Sequence, residues 1–305
     1  MGGGYLPDVG ASPLTLVLDE SWTGKVITVG GFLAADDDLL ALAQGWREMK
    51  IQMSLAAQDE LKYAIDDDHP SRPRLDAAGW LRAERLPVLL EWVATQPVLL
   101  IADTVHDWRD GDTAQVQYLY VHALGWCIRR AANHVQFDLG SLAGPHTVLV
   151  DMPNPAHGIV PQDQTGLLRT LKDSLGTAAF ALYQDRYLNP ESFPSGAVGS
   201  PLVELGFRPE LRASHGRHSD LLQIADLVAG CVRELCAWYL NSGVDDGDTF
   251  QGGWREENFL RIAGVFRSTA QGEVLRHGLD VFSPDHPAKG LSDYLERLLL
   301  AAVGA

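Results

Sequence analysis

The strongest constraint on the fold of this chain is its alternation of short apolar runs with longer amphipathic stretches. Two apolar runs rich in β-branched residues, at 14–18 and 25–33, flank a turn-sized connection at 21–24, and this arrangement predicts a β-hairpin. Apolar runs at 98–102 and 147–151 are typical of buried strands. Strands that alternate with helices after an opening hairpin predict an α/β fold with a mixed sheet flanked by helices.

Helical spacing of apolar side chains predicts the helices between these strands. An acidic triplet at 36–38 suits the start of the first helix, and Pro87 is expected to kink or break the second. A further strand is expected at 178–183, followed by an irregular excursion at 186–217 that contains several prolines and glycines. The predicted helices cover 38–55, 76–95, 113–135, 164–175, 219–240 and 290–303.

Composition and charge indicate a globular chain that does not attract polyanions at long range. The chain has 305 residues, of which 46% are hydrophobic and 21% charged. Because its formal charge is −16, the chain would need a local basic patch or a bound metal to bind nucleic acid or an anionic membrane. We expect one domain over 12–240, with a helical elaboration at about 36–96, and an acidic linker and helical extension over 241–305.

Cysteine usage and hydropathy favour a reducing, non-membrane setting. Cys127, Cys231 and Cys236 have no spacing typical of a metal site or a disulfide framework, so we expect buried free thiols. The sequence shows no basic, apolar leader pattern, and no uncharged run reaches the roughly 18 residues of a membrane span. These features predict a cytoplasmic protein without a membrane partner.

Two aspartates directly follow apolar strands. Side chains alternate between the two faces of the strand LTLVLDES, and Asp19 is expected where this strand ends. The run TVLVD likewise ends in Asp151. An ionised carboxylate in place of a core residue is costly unless a cation or hydrogen-bond donors meet it. Ligands bind at the carboxyl ends of strands in open α/β sheets, so both residues are candidates for a site.

A third aspartate lies inside the apolar helix LLQIADL. Asp226 shares a helix face with Gln223, and Gly230, one turn further, clears space beside it. Two strand-end aspartates and one helical aspartate suit a pair of magnesium ions, which prefer carboxylate oxygens and can clamp both reacting oxygens of a phosphoryl transfer. Any one of these aspartates could instead be a helix cap or an ion-pair partner.

Four segments of the chain resemble the domain-of-unknown-function family 3800, which is grouped with the ribonuclease H-like superfamily. They are LTLVLDES, Glu60-Leu61-Lys62, the strand-end Asp151 and LLQIADLVAG, in this order. The resemblance covers about residues 14–240 and implies a ribonuclease H-like fold and a metal-dependent nuclease. Such enzymes use acidic residues in the order Asp, Glu, Asp, Asp. Carried over to this chain, the ligands of two Mg²⁺ or Mn²⁺ ions are Asp19, Glu60, Asp151 and Asp226.

Glu60 departs from the simplest ribonuclease H pattern, in which the glutamate lies on the first helix after three strands. In this chain Glu60 follows a helix after two recognisable strands, so the helices at 38–55 and 76–95 would elaborate the fold. Glu20 or Asp59 could supply the fourth carboxylate instead.

Basic and polar residues near these carboxylates are candidates for substrate binding. Lys62 could contact a phosphate or be a solvated lysine. The densest basic stretch directly precedes the Asp226 helix, and ribonucleases H resemble this in carrying a loop histidine that aids proton transfer or product release. His218 or His215 could take that role, or lie on the surface. The expected substrate contacts are Lys62, Gln223, Arg212, Arg217 and His218, with Arg208 in the same patch.

Other polar stretches have simpler interpretations. Asn154 and His157 could line the same site or lie in a plain loop, and the acidic runs at 66–68 and 245–246 are expected in solvated turns. The His-Asp pair at 106–107 lacks the helical histidine partners of a metal phosphohydrolase. The sequence contains no phosphate-binding loop, dinucleotide fingerprint, serine-hydrolase elbow or zincin motif, so these enzyme classes lack support.

The leading hypothesis is a cytoplasmic ribonuclease H-like phosphodiesterase whose two metal ions activate water for in-line attack on a nucleic-acid phosphate. The resemblance also implies a setting among mobile-element or defence genes. Two other classes stay open: a scaffold that has lost catalysis and serves as a binding subunit, and a small-molecule phosphoesterase. With a charge of −16, the isolated chain should bind nucleic acid weakly and need a protein partner or self-association for tight binding.

Overall fold

A computed structural model places six strands in one mixed sheet with helices on both faces. The described residues are 12–65, 67–106, 113–139, 144–151, 172–178, 206–214, 219–242, 253–268, 273–275, 277–282 and 287–304. The strands are β1 (Leu14–Thr23), β2 (Val26–Ala35), β3 (Leu99–His106), β4 (His146–Asp151), β5 (Phe207–Ser214) and β6 (Leu279–Phe282). The helices are α1 (Leu39–Gln52), α2 (Arg72–Ala77), α3 (Arg82–Ala94), α4 (Thr113–Asn133), α5 (172–178), α6 (Asp220–Ser242), α7 (Trp254–Ala263) and α8 (Pro287–Gly304).

The described strands lie in the order β5-β4-β1-β2-β3-β6. β2 runs antiparallel to β1 and β3, while the pairs β1–β4, β4–β5 and β3–β6 are parallel. The predicted hairpin is present, and its turn is tight because Gly24 takes a φ of +54°. The expected α/β fold with a mixed sheet flanked by helices is therefore confirmed.

Side-chain alternation in β1 separates two cores. Leu14, Leu16 and Leu18 pack in a cluster with α4, whereas Val17 packs in a second cluster with α6 on the opposite face. β2 is buried along its whole length, as expected for a central strand covered on both sides. Asp19, two residues after Val17, therefore belongs to the α6 face of the sheet.

Two predicted boundaries are wrong for local reasons. β1 does not end at Asp19 but continues to Thr23, because the hairpin extends beyond the end of β4. The helix predicted over 76–95 is divided into α2 and α3. The break lies at Gly79, which has a φ of +77°, whereas Pro87 is accommodated inside α3.

The chain after β4 contains a strand that the sequence analysis did not predict. β5 lies within the stretch 186–217 that we expected to be irregular, and it pairs with β4 at the edge of the sheet. Ala178, the first residue of the strand predicted at 178–183, is instead the last described residue of helix α5. The rest of that strand, and most of the helix predicted at 164–175, lie outside the described residues.

The C-terminal segment contributes to the same sheet and core. β6 pairs with β3, and α7 and α8 add Phe259, Ile262 and Leu295 to the apolar cluster beneath α6. α8 includes the helix predicted at 290–303, whereas α7 and β6 were not predicted. The acidic linker at 243–253 lies outside the described residues except for its last residue.

Two further features concern the length of the helices and the state of the cysteines. Within the described ranges, every helix falls short of the length and apolar character that crossing a membrane requires. Cys127, Cys231 and Cys236 are buried and unpaired, which confirms the expected free thiols. Burial raises the pKa of Cys236 to about 12, so this thiol stays protonated at neutral pH.

Candidate active site

Asp19 and Asp151 lie side by side on neighbouring parallel strands. The register of β1 and β4 matches Val17 with Leu149, so the two aspartates, each two residues later, are level with each other. Val17 and Leu149 both pack against the core beneath α6, and alternation places the two carboxylates on the same face. The structure thus brings together two of the residues predicted from the sequence, although Asp19 lies within β1 and not at its end.

α6 brings Asp226 to the same place because its backbone lies directly on the sheet. Gly30 of β2 pairs with Asp19 across the hairpin. A Cβ on Gly30 would lie 3.2 Å from the Cα of Ala229, so this glycine allows the helix to approach closely. Asp226 precedes Ala229 by less than one turn of α6, and it therefore lies beside Asp19.

Burial and mutual repulsion dominate the electrostatics of these aspartates. Asp19 is 4% exposed, and burial raises its pKa well above the usual range. The charges of Glu20, Asp226 and Asp151 raise the pKa of this carboxyl further. The pKa of Asp226 is also raised, by burial first and then by Asp151, against the lowering effect of Lys62. A cation placed among these carboxylates would relieve their repulsion.

Lys62 supplies positive charge to the acidic group. Burial alone would lower the pKa of Lys62, but the charges of Asp226, Glu60 and Asp19 outweigh burial and raise it. Its Nζ lies 3.2 Å from Glu60 Oε1, and its side chain is 36% exposed. The ammonium group is therefore charged and partly open to solvent, which a phosphate contact requires.

The three candidates for a fourth carboxylate lie in different surroundings. Glu20 follows Asp19 in β1, and its charge is the largest electrostatic contribution to the raised pKa of Asp19. Glu60 reaches the group through Lys62 and also lies 3.4 Å from a histidine of the same segment. Asp59 is held by a backbone amide of its own turn and by an arginine of α2. Glu20 thus has the largest electrostatic effect on Asp19, although alternation along β1 directs the two side chains to opposite faces of the sheet.

Gln223 and Asp226 hold alternate amides of the segment between α1 and α2. Gln223 Oε1 accepts hydrogen bonds from the Leu61 amide and from Trp46 Nε1, both at 3.0 Å. Asp226 Oδ2 accepts a hydrogen bond from the Tyr63 amide at 2.6 Å. Because Gln223 is 2% exposed, these contacts indicate a positioning role for it, and the expected substrate contact stays a prediction.

Further contacts hold the same segment from its other sides. A Cβ on Gly230 would overlap the Tyr63 ring, so this packing requires glycine. Arg85 donates a hydrogen bond to the Tyr63 carbonyl at 3.0 Å, and Ser71 Oγ donates one to the Glu60 carbonyl at 2.6 Å. The sequence analysis predicted the cleared space on α6 but not the tyrosine that fills it.

Tyr120 of α4 approaches the acidic group from the opposite face of the sheet. Its side chain is fully buried, and its hydroxyl has no hydrogen-bond partner among the described residues. Burial raises the pKa of Tyr120, and the charges of Glu20, Asp19 and Asp151 raise it further. Tyr120 was not predictable from the sequence, because a tyrosine in an apolar helical pattern is indistinguishable from a core residue.

The donor chemistry of the acidic group suits Mg²⁺ or Mn²⁺, which prefer carboxylate oxygens. Asp19, Asp151 and Asp226 offer such oxygens, and a metal would balance the charge that raises the pKa of Asp19. Among the described residues, no three acidic, histidine or cysteine side chains are grouped closely enough to form a ready cation site. The three carboxylates would therefore have to move closer together around an ion.

The basic patch predicted beside the Asp226 helix is described only in part. Arg208 and Arg212 lie in β5, and Arg212 is in register with Leu149, two residues before the pair formed by Asp151 and Ser214. Arg212 is thus placed on the edge strand next to the candidate site. The predicted residues outside the described ranges are His215, Arg217, His218, Asn154, His157, Asp107, Asp66, Asp245 and Asp246.

Comparison with known proteins found no relative of this chain. No protein-family model, curated protein or solved structure matches the chain. The mixed sheet, the three aspartates and Lys62 therefore carry the inference of function.

Proposed function

We propose that this chain is a ribonuclease H-like phosphodiesterase that hydrolyses nucleic acid with the help of divalent metal ions. The observation that carries this proposal is the meeting of Asp19, Asp151 and Asp226, from β1, β4 and α6, on one face of the sheet. A single structural aspartate needs only one ion-pair partner. Neighbouring buried carboxylates, of which Asp151 raises the pKa of both Asp19 and Asp226, are instead typical of a catalytic metal site.

The sheet is compatible with the ribonuclease H-like fold that the sequence pattern led us to expect. β1, β2 and β3 form an antiparallel meander, and β4 and β5 continue the sheet in parallel beside β1. The first helix after these three strands, α4, contains no acidic residue. The glutamate of the family pattern would therefore have to be Glu60 or Glu20.

Each residue of the site would have a defined task in phosphodiester hydrolysis. Asp19, Asp151 and Asp226 would hold the metal, which when bound acts as a Lewis acid toward the phosphate and lowers the pKa of a water nucleophile. Lys62, charged and 36% exposed, would bind a non-bridging phosphate oxygen. Gln223 would keep Lys62 in position by holding the amide of the preceding residue.

A catalytically inactive, ribonuclease H-like binding subunit is the second candidate. Lys62 already supplies a cation to the acidic group, and the described residues contain no ready cation site. Such a subunit would keep the sheet and use its charge of −16 to attract a basic protein partner. A small-molecule phosphoesterase would use the same carboxylates as a nuclease, so the size of the cleaved substrate separates those two enzymes.

The deciding experiment is a cleavage assay on single-stranded, duplex and RNA–DNA hybrid oligonucleotides and on bis(p-nitrophenyl) phosphate. The parent protein should cleave oligonucleotides in Mg²⁺ or Mn²⁺ but not in EDTA. Asp19→Asn and Asp226→Asn should lower the rate at least about 100-fold, because each removes a metal ligand without changing side-chain size. Asp67→Asn is the matched control, since Asp67 is 98% exposed and should leave the rate unchanged.

Each alternative gives a different result in this assay. A folded parent protein that cleaves none of the substrates with either metal would support the inactive subunit. Cleavage confined to the small diester would support the phosphoesterase. Cleavage of oligonucleotides by Asp19→Asn at the parent rate would show that the acidic group is not the catalytic centre.

A further inference from the structure

A cavity of about 340 Å³ lies between the end of β1, the C-terminal half of α6 and the start of α7. The residues that line it include Arg233, Arg255, Trp238 and Asn241. Thr23, the last residue of β1, also lines it. The volume is at the lower end of the range of small-molecule sites, and the lining combines cations with a flat aromatic ring.

Glu234 gathers three arginines around one side of this cavity. Its carboxylate lies 3.1 Å from Arg82 Nη2, 3.1 Å from Arg255 Nε and 3.6 Å from Arg233 Nη2. Burial raises the pKa of Glu234, but the charges of Arg82 and Arg233 outweigh burial and lower it. The carboxylate is therefore ionised and the group as a whole is positive. A concentrated positive charge is notable in a chain whose net charge is −16.

Arg233 keeps donor capacity for a ligand. Its side chain is nine-tenths buried, and its Nε has no hydrogen-bond partner among the described residues. The terminal Nη2 of Arg233 lies 3.6 Å from Glu234, which is longer than a hydrogen bond, so an anion bound in the cavity could pair with this guanidinium more closely than Glu234 does. Arg255 is 29% exposed and uses its Nε for Glu234, so its terminal nitrogens can reach a second anion oxygen.

The other walls suit a planar base more than a bare anion. Trp238 is half-buried and lies against Tyr294, with ring centroids 6.2 Å apart, so its indole is held in place. Asn241 is exposed and can both donate and accept hydrogen bonds at the edge of a base. Guanidinium groups that bind phosphate beside an aromatic ring that stacks on a base are the two elements that recognise a nucleotide.

We propose that this cavity binds a nucleoside phosphate, with the phosphate on Arg233 and Arg255 and the base against Trp238. The ligand is either a free nucleotide or one nucleotide unit of a nucleic-acid chain. Arg233 follows Asp226 by two turns of α6, or about 10 Å. A nucleic-acid chain could therefore reach both the cavity and the aspartates. Binding at the cavity does not depend on hydrolysis at the aspartates.

The test is calorimetric titration of the metal-free protein with AMP, adenosine, inorganic phosphate and a single-stranded pentanucleotide. AMP should bind at least about tenfold more tightly than either adenosine or phosphate, because each of these lacks half of the contacts. Arg255→Gln should weaken AMP binding about tenfold. Trp238→Leu should weaken AMP binding at least about fivefold and leave phosphate binding unchanged.

Arg261→Gln is the matched control for Arg255→Gln. Both arginines lie on α7 with similar exposure, 27% and 29%, and each binds one glutamate through Nε at 3.0 to 3.1 Å. Arg261 is outside the cavity, so its substitution should not change AMP binding. If AMP binds and Arg255→Gln weakens that binding, a free nucleotide is a sufficient ligand. If only the pentanucleotide binds and Arg255→Gln weakens that binding, the ligand is one unit of a nucleic-acid chain. Equal effects of the two substitutions, or phosphate binding as tight as AMP binding, would overturn the proposal.

Discussion

Asp19 is a buried acid whose surroundings disfavour its charge. Burial, Glu20, Asp226 and Asp151 all raise its pKa, and Lys62 only partly compensates them. A raised pKa in the folded state means that protonation favours folding, so this contribution to stability is lost as the pH rises through the folded-state pKa. At pH 8, well above the unfolded-state pKa of an aspartate, the raised pKa of Asp19 therefore lowers the stability of the metal-free protein.

We predict that Asp19→Asn increases the free energy of unfolding at pH 8 by on the order of 1 kcal/mol. Asparagine removes the charge but keeps an oxygen that can accept the 2.7 Å hydrogen bond from the Glu20 amide. Urea denaturation of the metal-free protein measures the change, with Asp67→Asn as an exposed control that should be neutral. Failure of Asp19→Asn to fold would instead assign Asp19 a structural role.

At the scale of elements, α6 is the part that assembles the site. It carries Asp226, rests on β2 at Gly30 and holds the segment with Lys62 through Gln223. The indole of Trp46, from α1, shares the acceptor oxygen of Gln223. One helix thus connects the sheet to the segment that supplies the cation.

We predict that Gln223→Met lowers the free energy of unfolding by about 2–4 kcal/mol, because two buried donors lose their acceptor without a change in side-chain volume. Trp46→Phe should cost less, since it removes one donor and leaves the bond from the Leu61 amide. Chemical denaturation gives both values. Hydrogen exchange should show faster exchange of the Leu61 amide in Gln223→Met, while amides of α4 stay protected. Unchanged exchange at Leu61 would contradict the positioning role.

A second connection between elements is the buried pairing of Arg130 with two aspartates. Arg130, on α4, lies 2.7 Å from Asp103 of β3 and 2.8 Å from Asp280 of β6. Burial raises the pKa of Asp103 to about 7, even though Arg130 lowers it. The folded protein therefore holds a proton between about pH 4 and pH 7 that the unfolded chain has lost.

We predict that stability decreases from pH 5 to pH 8 more steeply in the parent protein than in Asp103→Asn. The difference should be on the order of 1–3 kcal/mol, because the raised pKa makes ionisation of Asp103 unfavourable in the fold. Unfolding free energies of both proteins at the two pH values measure it. Parallel pH dependences would mean that Asp103 is ionised throughout this range.

The central strands were predictable and the edge strands were not, for one physical reason. β1 to β4 are covered on both faces and read as continuous apolar runs. β5, with the sequence FRPELRAS, is an edge strand with a proline and three charged residues, and β6 has four residues. Edge strands lack the apolar signal because half of their surroundings is solvent or loop.

The site was predictable where local pattern determines position. Alternation and the strand-end pattern made Asp19 and Asp151 candidates for a site, although β1 continues beyond Asp19, and helical spacing placed Asp226 on one face with Gln223. The hydrogen bond between Gln223 and Trp46 joins residues 177 positions apart, and a local sequence pattern does not predict a contact over such a separation. The role of Gln223 and the approach of Tyr120 therefore required the folded structure.

For the whole molecule, a charge of −16 limits how the chain can bind nucleic acid. Screening confines attraction to about 8 Å at physiological salt, so affinity must come from local groups such as Lys62 and the arginines around the cavity. We predict weak binding of single-stranded oligonucleotides by the Asp19→Asn variant. The logarithm of affinity should fall with log salt at a slope of about −1 to −3, equivalent to a few phosphate contacts.

Fluorescence titration of labelled oligonucleotides at several salt concentrations measures this slope. Arg255→Gln should weaken binding, whereas Arg261→Gln should not. Nanomolar binding by a monomer with a steep slope would require a larger basic surface than the described residues provide. Tight binding that appears only on addition of a basic protein, or on self-association, would agree with the charge of the chain.

The central claim is that Asp19, Asp151 and Asp226 act together as a divalent-metal site. The most direct measurement is the thermal unfolding midpoint of the parent protein and of Asp19→Asn as Mg²⁺ or Mn²⁺ is increased to millimolar concentrations. An ion that binds only the folded state should raise the parent midpoint progressively and raise the variant midpoint much less. An unchanged parent midpoint, or equal shifts in both proteins, would contradict the claim.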